Sequence, residues 1–148
     1  MHATILGPGE GETVSIGLTT SEFKATTEAT GGAFSLSETT VAPGFPGPPP
    51  HTHREMIDSF YVLDGTLTVR LGDDEFEAGA GTFVCVPPGI IHTFRNATDA
   101  PVRMLNLNSP GGWERYLRDL AAVMPASGPP PADVIADLAA NHDFEPVV

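Results

Sequence analysis

The sequence predicts an all-β fold, a barrel or a sandwich, followed by one or two helices. Between residues 13 and 108, short segments rich in β-branched and aromatic residues alternate with Gly, Pro, Asp and Asn, as is typical of antiparallel sheets. After residue 110, apolar residues recur at helical spacing instead. A chain of 148 residues can form one compact domain with a core but is short for two, so we expect a single domain over residues 1–148.

Six segments are the clearest candidate strands. They are residues 34–41, 60–63, 66–71, 82–86, 92–95 and 102–107. Turn signals separate several of them, among them Asp64-Gly65 and Pro87-Pro88-Gly89. The proline-rich run 43–50 cannot donate a full ladder of hydrogen bonds, so we expect it at a sheet edge or rim.

The segment after residue 110 predicts two helices. One apolar face is formed by Trp113, Tyr116, Leu117, Leu120, Ala121 and Met124. The run 128–131 then breaks the chain, and Val134, Ile135 and Leu138 predict a second helix that stops near Asn141. We interpret these helices as cover for the sheet or, alternatively, as a lid over the mouth of a barrel.

Charge and hydropathy exclude several classes of partner. The formal net charge is −12, and the 7 basic residues form no stripe that could neutralise phosphates or bind anionic lipid. No apolar run approaches the roughly 18 residues of a membrane span, and the start of the chain lacks the pattern of a secretory leader. We therefore expect a cytoplasmic protein that binds neither nucleic acid nor membranes.

Three histidines and one carboxylate form a candidate ligand set: His51, His53, Asp58 and His92. Residues two apart in a strand point to the same side, so His51 and His53 can place both rings on one metal ion. The His-x-His pattern alone is a weak signal, because two surface histidines would give it as well. The spacing of the residues around it is more specific.

That spacing resembles the two sequence motifs of the cupin superfamily. In the first motif, His51-Thr52-His53 is followed by four residues, Asp58, six more residues and Gly65. Two positions depart from the family pattern, because Asp58 replaces the usual Glu and Phe45 stands where the motif opens with Gly. The second motif is matched at every fixed position, by Gly81, Pro87, Gly89, His92 and Asn96.

The resemblance covers roughly residues 7–124 and is strongest to small single-domain bacterial cupins similar to quercetin dioxygenases. It implies a cupin-type jelly-roll β-barrel over roughly residues 13–108, with a pocket inside and a C-terminal helical segment over roughly residues 111–141. It also implies that the three histidines bind one divalent transition metal ion, namely Fe, Mn, Ni, Co or Zn. Asn96 would be a turn residue or a partner of a ligand, and Gly65, Gly81 and Gly89 would be turn glycines.

Asp58 is the departure that matters most, because its side chain is one methylene shorter than Glu. We interpret it as a direct metal ligand. Two alternatives are a carboxylate that acts through a ligand or a bound water, and an unligated acid that serves as the catalytic general base. Glu55 is the substitute candidate, although a solvated Glu is the simpler interpretation of that position.

Four aromatic residues flank these motifs and are candidates for lining the pocket: Phe60, Tyr61, Phe83 and Phe94. Cys85 lies in the same apolar run as Phe83. We expect it to be a small buried side chain, with a catalytic thiol as the minor alternative.

Four protein ligands on an octahedral ion leave two open positions, enough for a bidentate substrate or for substrate plus dioxygen. This favours a dioxygenase-like oxidoreductase for a small oxygen-chelating substrate, such as a flavonol, a catechol-like aromatic or a dicarbonyl. The alternatives are a non-redox cyclase or isomerase, in which the metal polarises a carbonyl, and a non-catalytic module that binds a small molecule. Because cupin barrels commonly pair through edge strands, we also expect a homodimer.

Overall fold

The computed structural model describes residues 2–147. Eleven strands and two helices follow one another in these residues. The strands are β1 (Thr13–Ile16), β2 (Thr19–Ala25), β3 (Ser35–Val41), β4 (His51–Thr52), β5 (Ile57–Asp64), β6 (Leu67–Leu71), β7 (Asp74–Ala78), β8 (Phe83–Val86), β9 (His92–Arg95), β10 (Val102–Ser109) and β11 (Glu145–Pro146). The helices, α1 (Trp113–Val123) and α2 (Ala132–Asn141), lie between β10 and β11.

The strands form two antiparallel sheets. The larger sheet has the order β1-β2-β3-β10-β5-β8, and the smaller has the order β11-β4-β9-β6-β7. The strands that carry the two histidine motifs, β4 and β9, are neighbours in the smaller sheet, whereas β5 with Asp58 belongs to the larger one. A site built from these residues therefore joins the two sheets.

The main hydrophobic core contains buried side chains from both sheets. The larger sheet contributes Val41, Phe60, Val62, Val86, Val102 and Met104, and the smaller contributes Leu67, Val69 and Ala78. Strand β10 alternates strictly, with residues 102, 104, 106 and 108 buried, as expected for a strand with one face inward. The first two of these are Val102 and Met104, but the next two are Asn106 and Asn108, so the inner face changes from apolar to polar along the strand.

All six predicted segments are strands, and the prediction of a mainly β fold with two C-terminal helices is confirmed. The sequence did not single out the other five strands, among them β1 and β7. Strand β7 has the sequence Asp-Glu-Phe-Glu-Ala and is exposed over its first four residues, and β1 is only half-buried at alternate positions. Both lie at a sheet edge, where the apolar alternation that marks a buried strand is weak.

The two helices share a second cluster of apolar side chains, formed by Tyr116, Leu120, Ile135 and Phe144. Ile16 of β1 packs against this cluster, so the helices cover the edge of the larger sheet. After α2 the chain returns to the smaller sheet, where β11 pairs with β4. No helix within residues 2–147 is long and apolar enough to cross a membrane.

The turn between β5 and β6 shows why glycine is required at position 65. Gly65 has a φ of 84°, a left-handed conformation that side chains with a Cβ rarely adopt. A Cβ at this position would also lie 2.8 Å from the carbonyl oxygen of Pro101. The prediction of a turn glycine at this position is therefore confirmed.

Candidate metal centre

The structure brings the four predicted ligands together. Their candidate ligand atoms lie within 4.8 Å of one another, and all four residues are buried. His51 and His92 are paired across β4 and β9, and His53 follows directly after β4. Asp58 approaches from β5 of the other sheet. The cluster depends on the packing of the two sheets against each other.

The contacts within the cluster are short. The Nε2 atom of His92 lies 3.0 Å from Oδ2 of Asp58, and Nε2 of His53 lies 3.5 Å from the same oxygen. The ring of His51 is centred 4.4 Å from that of His92 and 5.0 Å from that of His53. All three imidazoles and one carboxylate oxygen thus surround a common point.

Each imidazole is held by its outer nitrogen. The Nδ1 atoms of the three rings bond to backbone carbonyl oxygens, which belong to Pro49 for His51, Ile90 for His92 and Asp143 for His53. A carbonyl can only accept, so Nδ1 carries the proton in all three rings. This leaves Nε2 as the nitrogen that can ligate a metal, which is the usual arrangement of a ligating histidine.

Two of these inner nitrogens lack a hydrogen-bond partner, although Nε2 of His53 lies 3.5 Å from the Asp58 carboxylate. Nε2 of His51 and Nε2 of His53 are buried and make no hydrogen bond to any described residue. A buried polar atom without a partner costs about 1–3 kcal/mol, so such atoms are rare unless a ligand satisfies them. A divalent ion between the rings would accept both lone pairs, and imidazole with carboxylate suits first-row transition metals. The residues present therefore fit a metal ion.

The two carboxylate oxygens of Asp58 have different partners. Its Oδ1 accepts hydrogen bonds from the side-chain amides of Asn106 and Asn108, both 2.8 Å long, and its Oδ2 faces the histidines. Burial raises the pKa of Asp58, but the contacts with His53 and His92 outweigh burial and hold the pKa well below its usual range. The carboxylate is therefore ionised at neutral pH, as a metal ligand must be. Despite its shorter side chain, Asp58 reaches the cluster.

The pKa values of His51 and His53 shift in opposite directions. Burial, together with the neighbouring His92, lowers the pKa of His51 to about 3, so this ring is neutral at neutral pH and its lone pair is available. Burial also acts against the charged form of His53, but its contact with Asp58 prevails and raises the pKa of His53.

Asn106 and Asn108 were not predicted as site residues. They lie two apart in β10, and Asn108 is directly opposite Asp58 in the register of β10 and β5. The available signal was a pair of amides at alternate positions that continue the apolar face of Val102 and Met104. By contrast, Asn96 is a turn residue, because its side-chain amide donates to the carbonyls of Val41, Ala42 and Ala100.

Replacing Asn108 by Ala is expected to lower the free energy of unfolding by about 1–3 kcal/mol, because a buried carboxylate oxygen loses one of its two donors. Urea denaturation measures this change. Asn141→Ala is the matched control, since Asn141 is exposed and its amide contacts only the carbonyl of Asp137, and it should stay within about 0.5 kcal/mol of the wild type. Equal effects of the two substitutions would contradict the role given to Asn108.

The four predicted pocket aromatics divide into two pairs. Phe60 is buried, partly buried Phe94 packs against it, and their ring centroids are 5.6 Å apart. Tyr61 and Phe83 are instead 42% and 62% exposed and lie opposite each other on the outer face of the larger sheet. The prediction that these two line the pocket is wrong, because they are out of phase with the inward positions of their strands.

Cys85 and Glu55 both lie at the surface. Cys85 is exposed, so the prediction of a buried side chain is wrong; it lies two residues from Phe83 and shares its outward orientation. Glu55 is also exposed and is not part of the ligand cluster. Asp58 rather than Glu55 supplies the carboxylate.

Residues from the C-terminal part of the chain complete the surroundings of the cluster. The Phe144 ring is centred 4.6 Å from that of His51, and the Trp113 ring meets the His53 ring edge-on at 5.3 Å. Trp113 was predicted only as part of an apolar helix face, and Phe144 was not predicted at all. The first turn of α1 and the segment after α2 thus pack directly on the ligands.

A narrow recess adjoins the cluster. It is lined by Phe23, Ser35, Leu36, Ser37, Asn108, Trp113, Glu114 and Leu117. Asn108 also contacts Asp58, and Trp113 also contacts His53, so the recess borders the ligands directly. Its lining combines apolar side chains with hydroxyl, amide and carboxylate groups.

Comparison with known proteins shows which fold the chain has and which of its residues match a known family. Residues 37–108, which include all four ligands, match the family described as Cupin domain. These 72 of the 148 residues are thus similar to a cupin domain, and the two sheets have the double-stranded β-helix fold of the similar solved structures. The comparison with curated proteins gives no match.

Several solved structures are similar. The polyketide cyclase RemF from Streptomyces resistomycificus is 24% identical, with a TM-score of 0.65 and coverage of 73% of this chain and 80% of that one. KdgF from Halomonas sp. is 15% identical, with a TM-score of 0.67 and coverage of 77% and 99%. A predicted oxalate decarboxylase from Thermotoga maritima is 15% identical, with a TM-score of 0.66 and coverage of 72% and 99%. At these identities the similarity concerns the fold.

Proposed function

We propose that this protein is a metal-dependent cupin enzyme that acts on a small substrate with adjacent oxygen atoms. The observation that carries the proposal is the pair of buried, unpartnered Nε2 atoms of His51 and His53, which converge with Asp58 and His92. When bound, a divalent ion such as Fe, Mn, Ni, Co or Zn would supply Lewis-acid or redox chemistry at this point.

The residues around the centre favour a substrate that has both an apolar part and polar groups able to form hydrogen bonds. The recess offers apolar surface from Phe23, Trp113 and Leu117 for a ring or a carbon chain, and the hydroxyls of Ser35 and Ser37 for hydrogen bonds to oxygen. The recess is too narrow to hold even a water molecule, so a substrate of any of these classes, whether flavonol, catechol or dicarbonyl, enters only when a covering element moves.

The reaction that we propose first is a dioxygenase-like oxidation. The set of three imidazoles and one carboxylate suits redox-active ions, and its motifs resemble those of quercetin dioxygenase-like cupins. In this reaction the chain's own residues would keep Asp58 ionised, hold the three rings in one orientation and exclude bulk water from the centre.

A second candidate is a non-redox cyclase or isomerase. It is favoured by the similarity to RemF, a polyketide cyclase, which matches 73% of this chain. Both reactions would use the same ligands and the same recess, and they differ in their need for dioxygen.

Turnover with and without dioxygen separates the two candidates. The metal-loaded protein is incubated with catechol or acetylacetone as probes, in air and under anaerobic conditions, and dioxygen uptake and probe loss are recorded together. Dioxygen uptake that matches probe loss supports the oxygenase, and anaerobic exchange of the C3 hydrogens of acetylacetone with deuterated water, faster than without protein, supports the enolisation chemistry of a cyclase or isomerase. Binding of a probe without turnover in either condition would contradict an enzyme and favour a binding module. His92→Ala is the control and should be inactive in both conditions.

We also propose that two copies of the chain pair through the outer face of the larger sheet. This face exposes Ile57, Tyr61, Phe83 and Leu107, and β8 is an edge strand of the described sheet. Two chains that each carry a net charge of −12 repel, so a face of apolar side chains is where they can approach.

Sedimentation at micromolar concentration tests the pairing. The wild type is expected to have the mass of a dimer, and Phe83→Ser combined with Tyr61→Ser is expected to have the mass of a monomer. Because both side chains are exposed, the two substitutions should change the stability of the isolated fold little. A monomeric wild type would contradict the pairing.

A further inference from the structure

We propose that residues 142–147, here called the C-terminal clamp, are part of the metal centre, and that docking of the clamp and binding of the metal strengthen each other. Asp143 is the positioning residue in this arrangement, because it acts through His53 and the turn that follows it. The inference rests on the proposed metal site and goes beyond it, since the clamp lies outside the matched cupin domain of residues 37–108.

The backbone of the clamp is bonded to the strand that carries the first ligand. Strand β11 pairs with β4, with Pro146 opposite His51 and Glu145 opposite Thr52. The amide of Val147 donates to the carbonyl of Pro50 at 2.8 Å. The clamp thus adds a strand beside β4, whose other neighbour is β9 with His92.

Asp143 makes two kinds of contact with the first motif. Its carbonyl accepts the hydrogen bond from Nδ1 of His53, and its carboxylate accepts hydrogen bonds from the backbone N–H groups of Arg54, Glu55 and Met56. Successive N–H groups of this kind form a concave site for an anion. Asp143 therefore fixes both the ring of His53 and the turn that leads from His53 to Asp58.

Phe144 closes the same side of the centre. It is 1% exposed, its ring is centred 4.6 Å from His51, and it stacks on Tyr116 of α1 at 4.9 Å. Arg54 adds contacts at the rim, since its guanidinium bonds to Glu145 at 2.9 Å and to the carbonyl of His142 at 2.8 Å. The clamp combines a buried aromatic anchor with a polar edge.

The coupling follows from the orientation of His53. With the clamp docked, the Nδ1 atom of His53 is occupied and its Nε2 atom faces the other ligands, so the clamp holds the ring in the state that binds metal. A metal ion bound to Nε2 would hold the ring in that same orientation. It would thereby maintain the hydrogen bond from Nδ1 of His53 to the backbone carbonyl of Asp143. Because binding free energies are linked, each event must favour the other to the same extent.

Measurements of metal affinity test whether the docked clamp strengthens metal binding. Zn(II) is the probe, titrated against a chromophoric chelator with wild type, Asp143→Ala and the matched control Asp137→Ala, which makes the same change at an exposed position of α2. Asp143→Ala keeps the backbone carbonyl that accepts from His53, but it removes the carboxylate that holds the turn after His53 and so loosens the docked clamp. It is therefore expected to bind Zn(II) about 10-fold more weakly than the wild type. Asp137→Ala should bind as the wild type does.

Hydrogen exchange tests whether metal binding in turn stabilises the docked clamp. Addition of Zn(II) is expected to slow exchange at the amides of residues 51–56 and 143–147 in the wild type, and to slow it less in Asp143→Ala. A purely structural role of Asp143 would lower the melting temperature without changing Zn(II) affinity or this metal-dependent protection. Asp143→Asn, which keeps one acceptor oxygen and loses the charge, provides an intermediate variant if Asp143→Ala does not fold.

Three results would contradict the proposed coupling between the C-terminal clamp and the metal. One is equal Zn(II) affinity in the folded Asp143 variants and in Asp137→Ala. Another is exchange in residues 143–147 that does not respond to Zn(II). The third is a wild type that binds no Zn(II), Co(II) or Mn(II), which would remove the proposed metal site together with the clamp, whereas the first two leave the metal site intact.

Discussion

Removing the metal with a chelator is expected to lower the melting temperature of the wild type by about 5–15 °C. A ligand present at about 100 to 1,000 times its dissociation constant stabilises the folded state by about 2.7–4.1 kcal/mol, and in a chain of this length 1 kcal/mol corresponds to about 2–4 °C. The effect is local in origin, because the ion would bind the buried Nε2 atoms of His51 and His53, which have no hydrogen-bond partner in the described part of the chain.

His92→Ala should abolish this response to the chelator, since it removes one of the four ligands and the ring that lies 3.0 Å from Asp58. His2→Ala, at an exposed position remote from the ligand motifs in sequence, should keep the full response. The compared quantity is the difference between melting temperatures with and without chelator for each variant. A wild type whose melting temperature does not respond to the chelator would contradict the site.

Asp58→Asn is expected to weaken metal binding by about 100-fold or more, or about 2.7 kcal/mol. The amides of Asn106 and Asn108 donate to Oδ1, so the new side chain must turn its carbonyl oxygen toward them. Its NH₂ group then faces the histidines, where it carries no charge and no lone pair for a metal. Titration with Co(II) or Zn(II) measures the loss.

Asp64→Asn is the matched control, because Asp64 ends the same strand and is exposed. Its metal affinity should equal that of the wild type. If Asp58→Asn also bound metal as the wild type does, Asp58 would not be a ligand, and the interpretation of Asp58 as an unligated acid would take its place.

Much of the fold could be predicted because its signals are local. Buried strands such as β10 alternate inward and outward residues, which is visible in a short stretch of sequence. The prolines and glycines that end the strands restrict the backbone of their own neighbours in the chain. The outward orientation of Tyr61 and Phe83 was missed for a physical reason. A shift of one residue exchanges the two faces of a strand, and β-branched and aromatic composition does not fix that phase.

In the candidate site, the ligands could be predicted from the sequence but the residues that hold them could not. His51, His53 and Asp58 lie close together in sequence, and the second motif adds His92, so their spacing was informative. The residues that hold them are remote along the chain: Asn106 and Asn108 lie 48 and 50 positions from Asp58, and Asp143 lies 90 positions from His53. Such partners are set by strand register and by the return of the chain at β11, which no local pattern encodes.

The metal content of the wild-type protein, purified without a tag from its native host, tests the central claim most directly. Elemental mass spectrometry should find about one first-row transition ion per chain, as expected for three imidazoles and a carboxylate around one point. Iron, manganese or nickel would agree with the oxygenase, and zinc with the cyclase or isomerase. A protein that is folded and free of transition metal would contradict the account.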